Sequence, residues 1–353
     1  MKKSRIAALV VAVVLVITLS LSLALTSSAA NWGFFTREDN DPKSYAYSIA
    51  VVGDTQSLVN SDVKNAGVTG YEPRLEKLYG WLEEHAESKK IKMVLGLGDI
   101  VETWNKAAYP DLFAAEWALA TEQISRLNGK IPYTLVNGNH DVNGFNTYIG
   151  ALEGYTSQFE GDDAGFMYEG DYATSYRKMQ ISGTKWLFIT LDWAPTGAEL
   201  DWVAGIVAAN PDYGVIVTLH DYLYHDMTVD GEGDSADTAK HNPDWDDSID
   251  PTSPDNDPNL VYNPDGIWER LISKHENIKM VLSGHTPNGR VVYSQVQGDK
   301  GNTVTQMLID PQSMDLDVNN QGGCGMVCML YFKEDGTLVD TSEWDGKNVD
   351  VEW

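Results

Sequence analysis

The sequence predicts an α/β fold built on a mixed β-sheet, and three observations support this prediction. From Tyr47 onward, short apolar runs alternate with helical patterns, an order typical of parallel strands covered on both faces. The middle of the chain is richer in strand patterns. The C-terminal part is a run of hairpin-like strands, which requires antiparallel pairing and makes the sheet mixed.

Hydrophobic periodicity defines each element. One face of the segment 73–89 carries Leu75, Leu78 and Trp81 at helical spacing. By the same criterion the predicted helices are 73–89, 111–127, 199–209 and 266–275. Short apolar runs predict strands at 47–53, 91–97, 133–136, 172–180, 185–191, 215–219, 279–282, 291–297, 303–309, 326–332 and 337–341.

The N-terminus has the pattern of an export signal. Lys2, Lys3 and Arg5 precede an uninterrupted stretch of apolar or small residues at 6–25, and small residues suited to signal peptidase follow. The stretch is also long enough to span a bilayer as an uncleaved anchor. Because the basic residues stay inside, both alternatives place the remainder outside the cytoplasm. We predict a secreted or extracellular protein, with a signal peptide or membrane anchor at residues 1–30 and a linker at 31–46.

The charge balance limits the partners. The chain has 25 Lys and Arg against 52 Asp and Glu, a formal net charge of -27. Such a surface repels nucleic-acid phosphates and anionic membranes. We therefore exclude nucleic-acid binding through a basic face, and we expect membrane contact only through the N-terminal segment.

A catalytic domain is predicted at residues 47–345, with an acidic insertion at 223–264. The insertion contains many aspartates and five prolines, and Lys240 is its only Lys or Arg. Long loops of this kind are either functional lids or solvated segments, and both interpretations remain open.

Polar residues follow the C-terminal ends of successive predicted strands. In parallel sheets, functional sites form in the crevice at those ends. Carboxylates, amide oxygens and imidazoles together are ligands of divalent metals such as Mn, Fe, Zn or Mg. The residues at these positions are Asp54, Gln56, Asp99, Asn139, His140, Asp141, His220 and His285.

This arrangement resembles the calcineurin-like metallophosphoesterases, whose motifs run D-x-H, GD, GNH[DE], a single H and GHxH. The match extends over about 48–287, and the run 303–332 is similar to the end of secreted bacterial members. The resemblance implies a sandwich of two mixed β-sheets flanked by α-helices. It also implies a metal-dependent phosphoesterase with two divalent ions, which hydrolyses phosphate mono- or diesters by a metal-activated hydroxide.

The resemblance assigns a role to each residue. It implies that Asp99 bridges the two metals and that His140 faces the substrate and stabilises or protonates the leaving oxygen, with Asp141 beside it as its orienter. The remaining ligands are Asn139, His220 and His285 for one metal, and Asp54 and Gln56 for the other.

Two departures from the family pattern affect the same metal. Gln56 stands where the first motif has His, and Pro287 stands where the last motif has its second His. Gln offers an amide oxygen and Pro offers no donor; Asn288 is a further candidate. The first metal site is expected to be rich in oxygen and weak, suited to Mn or Mg. The alternative is a degenerate, non-catalytic cell-surface binding module that keeps the fold.

Aromatic and amide side chains follow two of the motifs. Trp104 and Asn105 come after Asp99, and Tyr222 and Tyr224 come after His220. They are placed either to line the mouth of the site or to pack in the core.

Overall fold

The computed structural model describes residues 42, 44–225, 239–241, 261–286, 292–313 and 327–339. The leader at 1–30, nearly all of the linker at 31–46, most of the acidic insertion and Pro287 lie outside these ranges, so the predictions made for them stay predictions. In the part of the chain that is described, none of the helices combines the length and the apolar character needed to cross a bilayer.

The strands are numbered in chain order. They are β1 Tyr47–Val52, β2 Ile91–Gly96, β3 Tyr133–Leu135, β4 Ala164–Tyr168, β5 Asp171–Ile181, β6 Thr184–Thr190, β7 Gly214–Thr218, β8 Leu223–His225, β9 Ala239–His241, β10 Ile278–Ser283, β11 Val292–Gln297, β12 Thr303–Leu308 and β13 Val327–Phe332. The α-helices are α1 Gln56–Lys64, α2 Arg74–His85, α3 Pro110–Ile124, α4 Phe145–Tyr148, α5 Glu153–Thr156, α6 Gly197–Ala209 and α7 Pro264–Arg270. Short 3-10 turns follow several of the helices.

Two mixed sheets contain nearly all of these strands. The first has the order β13-β1-β2-β3, in which β1, β2 and β3 are parallel and β13 is antiparallel. The second has the order β11-β12-β10-β7-β6-β5-β4, in which β12, β10, β7 and β6 are parallel. The strands β8 and β9 form a separate two-stranded ladder.

The two large sheets pack face to face around a common core. Alternate residues of β1, namely Tyr47, Ile49 and Val51, point into this core, where they meet Phe188 of β6 and Ile216 of β7. The alternation follows from the two-residue period of a strand. This packing confirms the expected sandwich of two mixed sheets.

The helices cover the outer faces. Helix α6 begins with a capping box, in which the Thr196 hydroxyl accepts from the Glu199 N–H and the Glu199 carboxylate accepts from the Thr196 N–H. Its residues Leu200, Val203 and Val207, spaced at helical intervals, pack into a second apolar cluster on the second sheet.

The observed elements differ from the predicted ones in several places. The short strands β4, β8 and β9 and the one-turn helices α4 and α5 were not predicted. The segment 337–341 is no strand in its described residues: Leu338 makes an isolated bridge to Phe332. A turn at Asp335 and Gly336, where the Asp335 side chain accepts from the Thr337 N–H, reverses the chain immediately after β13. Helix α1 was not predicted, because its apolar content is low for an amphipathic helix.

Candidate metal centre

The parallel strands of both sheets end at one common edge, and the polar residues that follow them meet there. Asp54 follows β1, Asp99 follows β2 and Asn139 follows β3 in the first sheet, whereas His220 follows β7 and His285 follows β10 in the second. Side-chain contacts join the two groups. The site therefore lies between the sheets, as expected from the strand ends.

The Nε2 atom of His220 is the centre of this cluster. It lies 3.0 Å from Asn139 Oδ1, 3.3 Å from Asp99 Oδ1 and 3.1 Å from His285 Nδ1. The ligand atoms of Asp99, His220 and His285 all lie within 4.8 Å of one another. Carboxylate, amide and imidazole groups so close together form a donor set that suits a divalent cation.

The tautomer of His220 is fixed by the backbone. Its Nδ1 donates to the Leu97 carbonyl at 2.9 Å, so the lone pair of the neutral ring is on Nε2, toward the cluster. Burial opposes a charge on this ring, but the carboxylates of Asp99 and Asp54 raise the pKa of His220 to about 10. A metal bound at Nε2 would displace a proton from this ring.

Asp99 and His285 are both held in the left-handed backbone region, with φ of 45° and 71°. This conformation is uncommon for residues other than glycine and asparagine, and it turns both side chains sharply off their strands. The glycines before them leave room for other ligands. A Cβ at Gly98 would lie 2.7 Å from His220 Nδ1, and one at Gly284 would lie 2.2 Å from Asp54 Oδ1.

Asp54 is buried and its carboxylate accepts from the backbone N–H of His285, at 3.2 and 3.1 Å. Burial and the nearby Asp310 raise the pKa of Asp54 well above its usual range. For Asp99, burial alone would raise the pKa, but His220 lowers it. The hydrogen bond from the His140 N–H to Asp99 Oδ1, at 3.0 Å, also favours the ionised carboxylate.

Gln56 is the first residue of α1, and only the nitrogen end of its side-chain amide is hydrogen-bonded. Its Nε2 donates to Gln312 Oε1 at 3.0 Å, while its Oε1 is buried without a hydrogen-bond partner. A buried, unpaired carbonyl oxygen is unfavourable unless another group satisfies it. A cation next to Asp54 would do so, and the residues present therefore fit the metal centre that the sequence predicts.

His140 is oriented by a different group from the one predicted. Its Nδ1 donates to the backbone carbonyl of Glu102 at 2.6 Å, and its Nε2 makes no hydrogen bond to any described residue. The Asp141 carboxylate is fully buried and accepts from the N–H groups of Ile100, Val101 and Gly138. The expectation that Asp141 orients His140 is therefore wrong: Glu102 does so, and Asp141 joins the turns after β2 and β3.

Two residues of this cluster were not predicted. Asp310 follows β12 and is fully buried, and Gln312 lies two residues further on. The Gln312 Nε2 is 3.0 Å from Asp310 Oδ2 and 3.5 Å from Asp54 Oδ2, so it lies between two carboxylates. The signal that could have found Asp310 is the same as for the others, namely a polar residue at a strand end.

The aromatic residues that follow the motifs differ in their exposure to solvent. Trp104 is exposed, and its carbonyl accepts from the Asn143 side chain. Tyr222 is fully buried and its hydroxyl donates to Gln306 at 2.9 Å, so packing, not lining the mouth, is its role.

Comparison with known proteins agrees with this geometry. The family model for calcineurin-like phosphoesterases matches residues 47–289, which is more than half of the chain and includes seven strand-end residues and His140. A search of the curated proteins finds no match.

Several solved structures are similar at low identity. A dimetal phosphatase from Danio rerio has 12% identity and a TM-score of 0.44, with 83% of this chain and 94% of that one covered. A purple acid phosphatase from yellow lupin (Lupinus luteus) seeds has 14% identity and a TM-score of 0.40, with 85% of this chain covered; this chain spans 54% of the lupin protein. A calcineurin-like phosphoesterase from Bacillus subtilis has 14% identity and a TM-score of 0.37, with 84% and 88% covered.

Proposed function

Because the chain belongs to the calcineurin-like phosphoesterase family and is a metal-dependent phosphoesterase, we propose that it hydrolyses phosphate mono- or diesters outside the cytoplasm at a dinuclear centre. The observation that supports the proposal best is the convergence of Asp99, His220 and His285, whose ligand atoms lie within 4.8 Å of one another. These groups are brought together from both sheets.

The residues divide into two ligand sets that share Asp99. Asn139, His220 and His285 would hold one cation, and Asp54 and Gln56 would contribute to the other. When bound, two divalent ions such as Mn lower the pKa of a water molecule and neutralise charge on the phosphoryl group. The buried carboxyl groups of Asp54 and Asp99 and the unpaired Gln56 oxygen favour this occupancy, because a divalent cation beside them would stabilise the ionised carboxylates and satisfy the amide oxygen.

His140 is the group we assign to the leaving oxygen. Because its Nδ1 is engaged with the Glu102 carbonyl, a proton for the substrate is available only on Nε2. Its backbone N–H meanwhile donates to Asp99, which fixes the ring next to the metal ligands. An imidazolium in this position can transfer its Nε2 proton to the departing alkoxide, which then leaves as an alcohol and leaves a neutral imidazole behind.

The experiment is hydrolysis of 4-nitrophenyl phosphate and of bis(4-nitrophenyl) phosphate by metal-free protein to which Mn²⁺ is added, with metal content measured on the same samples. We expect Mn-dependent release of nitrophenolate from one or both esters. Asp99→Asn should lose both bound metal and turnover, and Asn tolerates the left-handed backbone of this position.

Asp62→Asn is the matched control, since Asp62 is also buried but its carboxylate accepts from the N–H groups of Arg74 and Leu75 outside the cluster. Turnover in Asp99→Asn at the wild-type rate would refute the shared-ligand assignment. Metal binding without hydrolysis of either ester would instead favour the non-catalytic binding module.

Export is the second part of the proposal, and it rests on the sequence of residues 1–30. Mass spectrometry of the protein from the culture medium and from washed membranes tests it. A new N-terminus near residue 30 in the medium indicates cleavage, and a full-length chain in the membranes indicates an anchor. Full-length protein in the cytosol would contradict both.

A further inference from the structure

The second sheet brings one more carboxylate to the edge where the metal ligands meet. β12 pairs in parallel with β10, with Ser283 opposite Leu308, and the Ile309 N–H donates to the Ser283 carbonyl. Asp310 is the residue after Ile309 and lies at the same edge of the sheet as His285. Asp310 thus follows the strand adjacent to the one that His285 follows.

Asp310 and Asp54 share one hydrogen-bond donor. The Gln312 Nε2 lies 3.0 Å from Asp310 Oδ2 and 3.5 Å from Asp54 Oδ2, and the Gln312 backbone N–H donates to Asp310 Oδ1 at 3.0 Å. The Gln312 Oε1 accepts from Gln56 Nε2. The side-chain amide of Gln312 therefore links the carboxylates of Asp54 and Asp310 to Gln56, which is itself a candidate metal ligand.

The two carboxylates also repel each other. Both are buried, and oxygens of the two lie within 3.5 Å of the same Gln312 Nε2. A cation beside two buried carboxylates stabilises their ionised forms. Here a neutral amide lies between them.

An independent observation, on the side chain of Gln56, indicates the chemical class of the group that would bind here. The Oε1 of Gln56, on the same amide that contacts Gln312, is buried and has no hydrogen-bond partner, and the Gln56 side chain is more than nine-tenths buried. The carboxylates of Asp54 and Asp310, linked through Gln312, and this amide oxygen are all oxygen donors. Such a set suits a hard divalent cation.

We propose that Asp310 is a ligand of the first metal, where it replaces the imidazole that residue 287 lacks because it is proline. Gln312 then positions the Asp310 carboxylate. The first site would be formed by Asp54, Gln56, Asp310 and the shared Asp99. This inference rests on the proposed function, and it concerns ligation, which can be measured without turnover.

The test is a calorimetric titration of metal-free protein with Mn²⁺, together with the metal content after gel filtration. Wild type should bind two ions per chain. Asp310→Asn, which keeps the shape and removes the charge, should weaken one of the two by at least about 10- to 100-fold and leave the other unchanged. Asp62→Asn is the matched control and should bind both ions as wild type does.

Unchanged affinities of both ions in Asp310→Asn would overturn the inference. A second measurement needs no variant: in crystals of wild-type protein soaked with Mn²⁺, the anomalous signal should show an ion within bonding distance of an Asp310 oxygen, and an ion bound to Asp54 without Asp310 would overturn it. Failure of the proposed function is a separate result. Asp310-dependent Mn binding without ester hydrolysis refutes only the function, and hydrolysis with Asp310-independent binding refutes only this inference.

Discussion

Substitution of Asp141 distinguishes a structural carboxylate from a catalytic one. The Asp141 carboxylate accepts from three backbone N–H groups: those of Ile100 at 2.9 and 3.1 Å, Val101 at 3.2 Å and Gly138 at 2.9 Å. Ile100 follows Asp99 directly, and Gly138 precedes Asn139. Asp141 therefore holds the two turns that carry the proposed metal ligands Asp99 and Asn139.

The magnitude follows from the number of donors that lose their acceptor. Asp141→Ala leaves three buried N–H groups unsatisfied, at about 1–3 kcal/mol each, which sums to about 3–9 kcal/mol. A typical domain has only about 5–15 kcal/mol of stability, so this variant should be largely unfolded or close to it. Asp141→Asn keeps Oδ1 for Ile100 and Val101 but turns an N–H₂ toward the Gly138 N–H, and should lose about 1–3 kcal/mol.

The assay is urea unfolding of metal-free protein at pH 8, followed by Mn²⁺ titration. This pH is chosen because burial and the charge of Asp99 raise the pKa of Asp141 to about 7, so that the wild-type carboxylate is ionised. In Asp141→Asn we expect a lower unfolding free energy and a Mn²⁺ affinity about 10-fold weaker, because the turns behind Asp99 and Asn139 loosen. Asp62→Asn should lower the unfolding free energy but leave the Mn²⁺ affinity at the wild-type value.

The opposite pattern would refute this reasoning. If Asp141→Asn unfolds at the wild-type urea concentration and binds Mn²⁺ normally but has lost turnover, Asp141 acts directly in the reaction. The hydrogen bonds to Ile100 and Gly138 would then contribute nothing measurable.

Three further predictions each concern one position in the chain. His140→Ala should lower turnover by about 100-fold or more with unchanged metal content, because we assign its ring to the substrate and not to the ions; a loss of metal would contradict this. Burial raises the folded-state pKa of Asp192 to about 6, so its ionisation destabilises the protein fully above pH 6 and the penalty is relieved as the pH falls toward 4. Asp192→Asn should therefore raise the unfolding free energy at pH 7.5, by up to about 3 kcal/mol, and have no effect at pH 3.5; an equal effect at both would exclude this origin. Pro287→His introduced into Asp310→Asn should restore tight binding of the second Mn²⁺ in calorimetry, and an unchanged affinity would show that residue 287 does not reach the ion.

Strand positions were predictable because buried parallel strands are continuous apolar runs. β1, with all six residues buried, and β10, with five of six, follow this pattern. The positions of Asp54, Asp99, Asn139, His220 and His285 followed in turn from the rule that sites form at the carboxyl ends of such strands. Their contacts in the structure agree with that expectation.

The directions in which the side chains of His140 and Asp141 point were not predictable from the sequence. Asp141 is adjacent to His140 in the chain, and sequence adjacency suggested a pair. In the structure a tight turn, in which the Asp141 N–H donates to the Gly138 carbonyl, directs its carboxylate back to the turn after β2. Backbone N–H groups of a neighbouring turn are invisible in a residue pattern. The Glu102 carbonyl that binds His140 is hidden for the same reason.

The family pattern has a second histidine where this chain has Pro287, and the group that replaces it could not be found from neighbouring positions in the sequence. A search for a substitute at Pro287 looks at its neighbours in sequence, such as Asn288. In a parallel sheet, however, the nearest side chain to a strand end belongs to the adjacent strand. The register between β10 and β12 brings Asp310, which is 25 positions from His285 in the sequence, to the same edge. An oxygen donor supplied across the sheet explains how one metal site can lose an imidazole while its buried carboxylates and the unpaired Gln56 oxygen remain arranged for a cation.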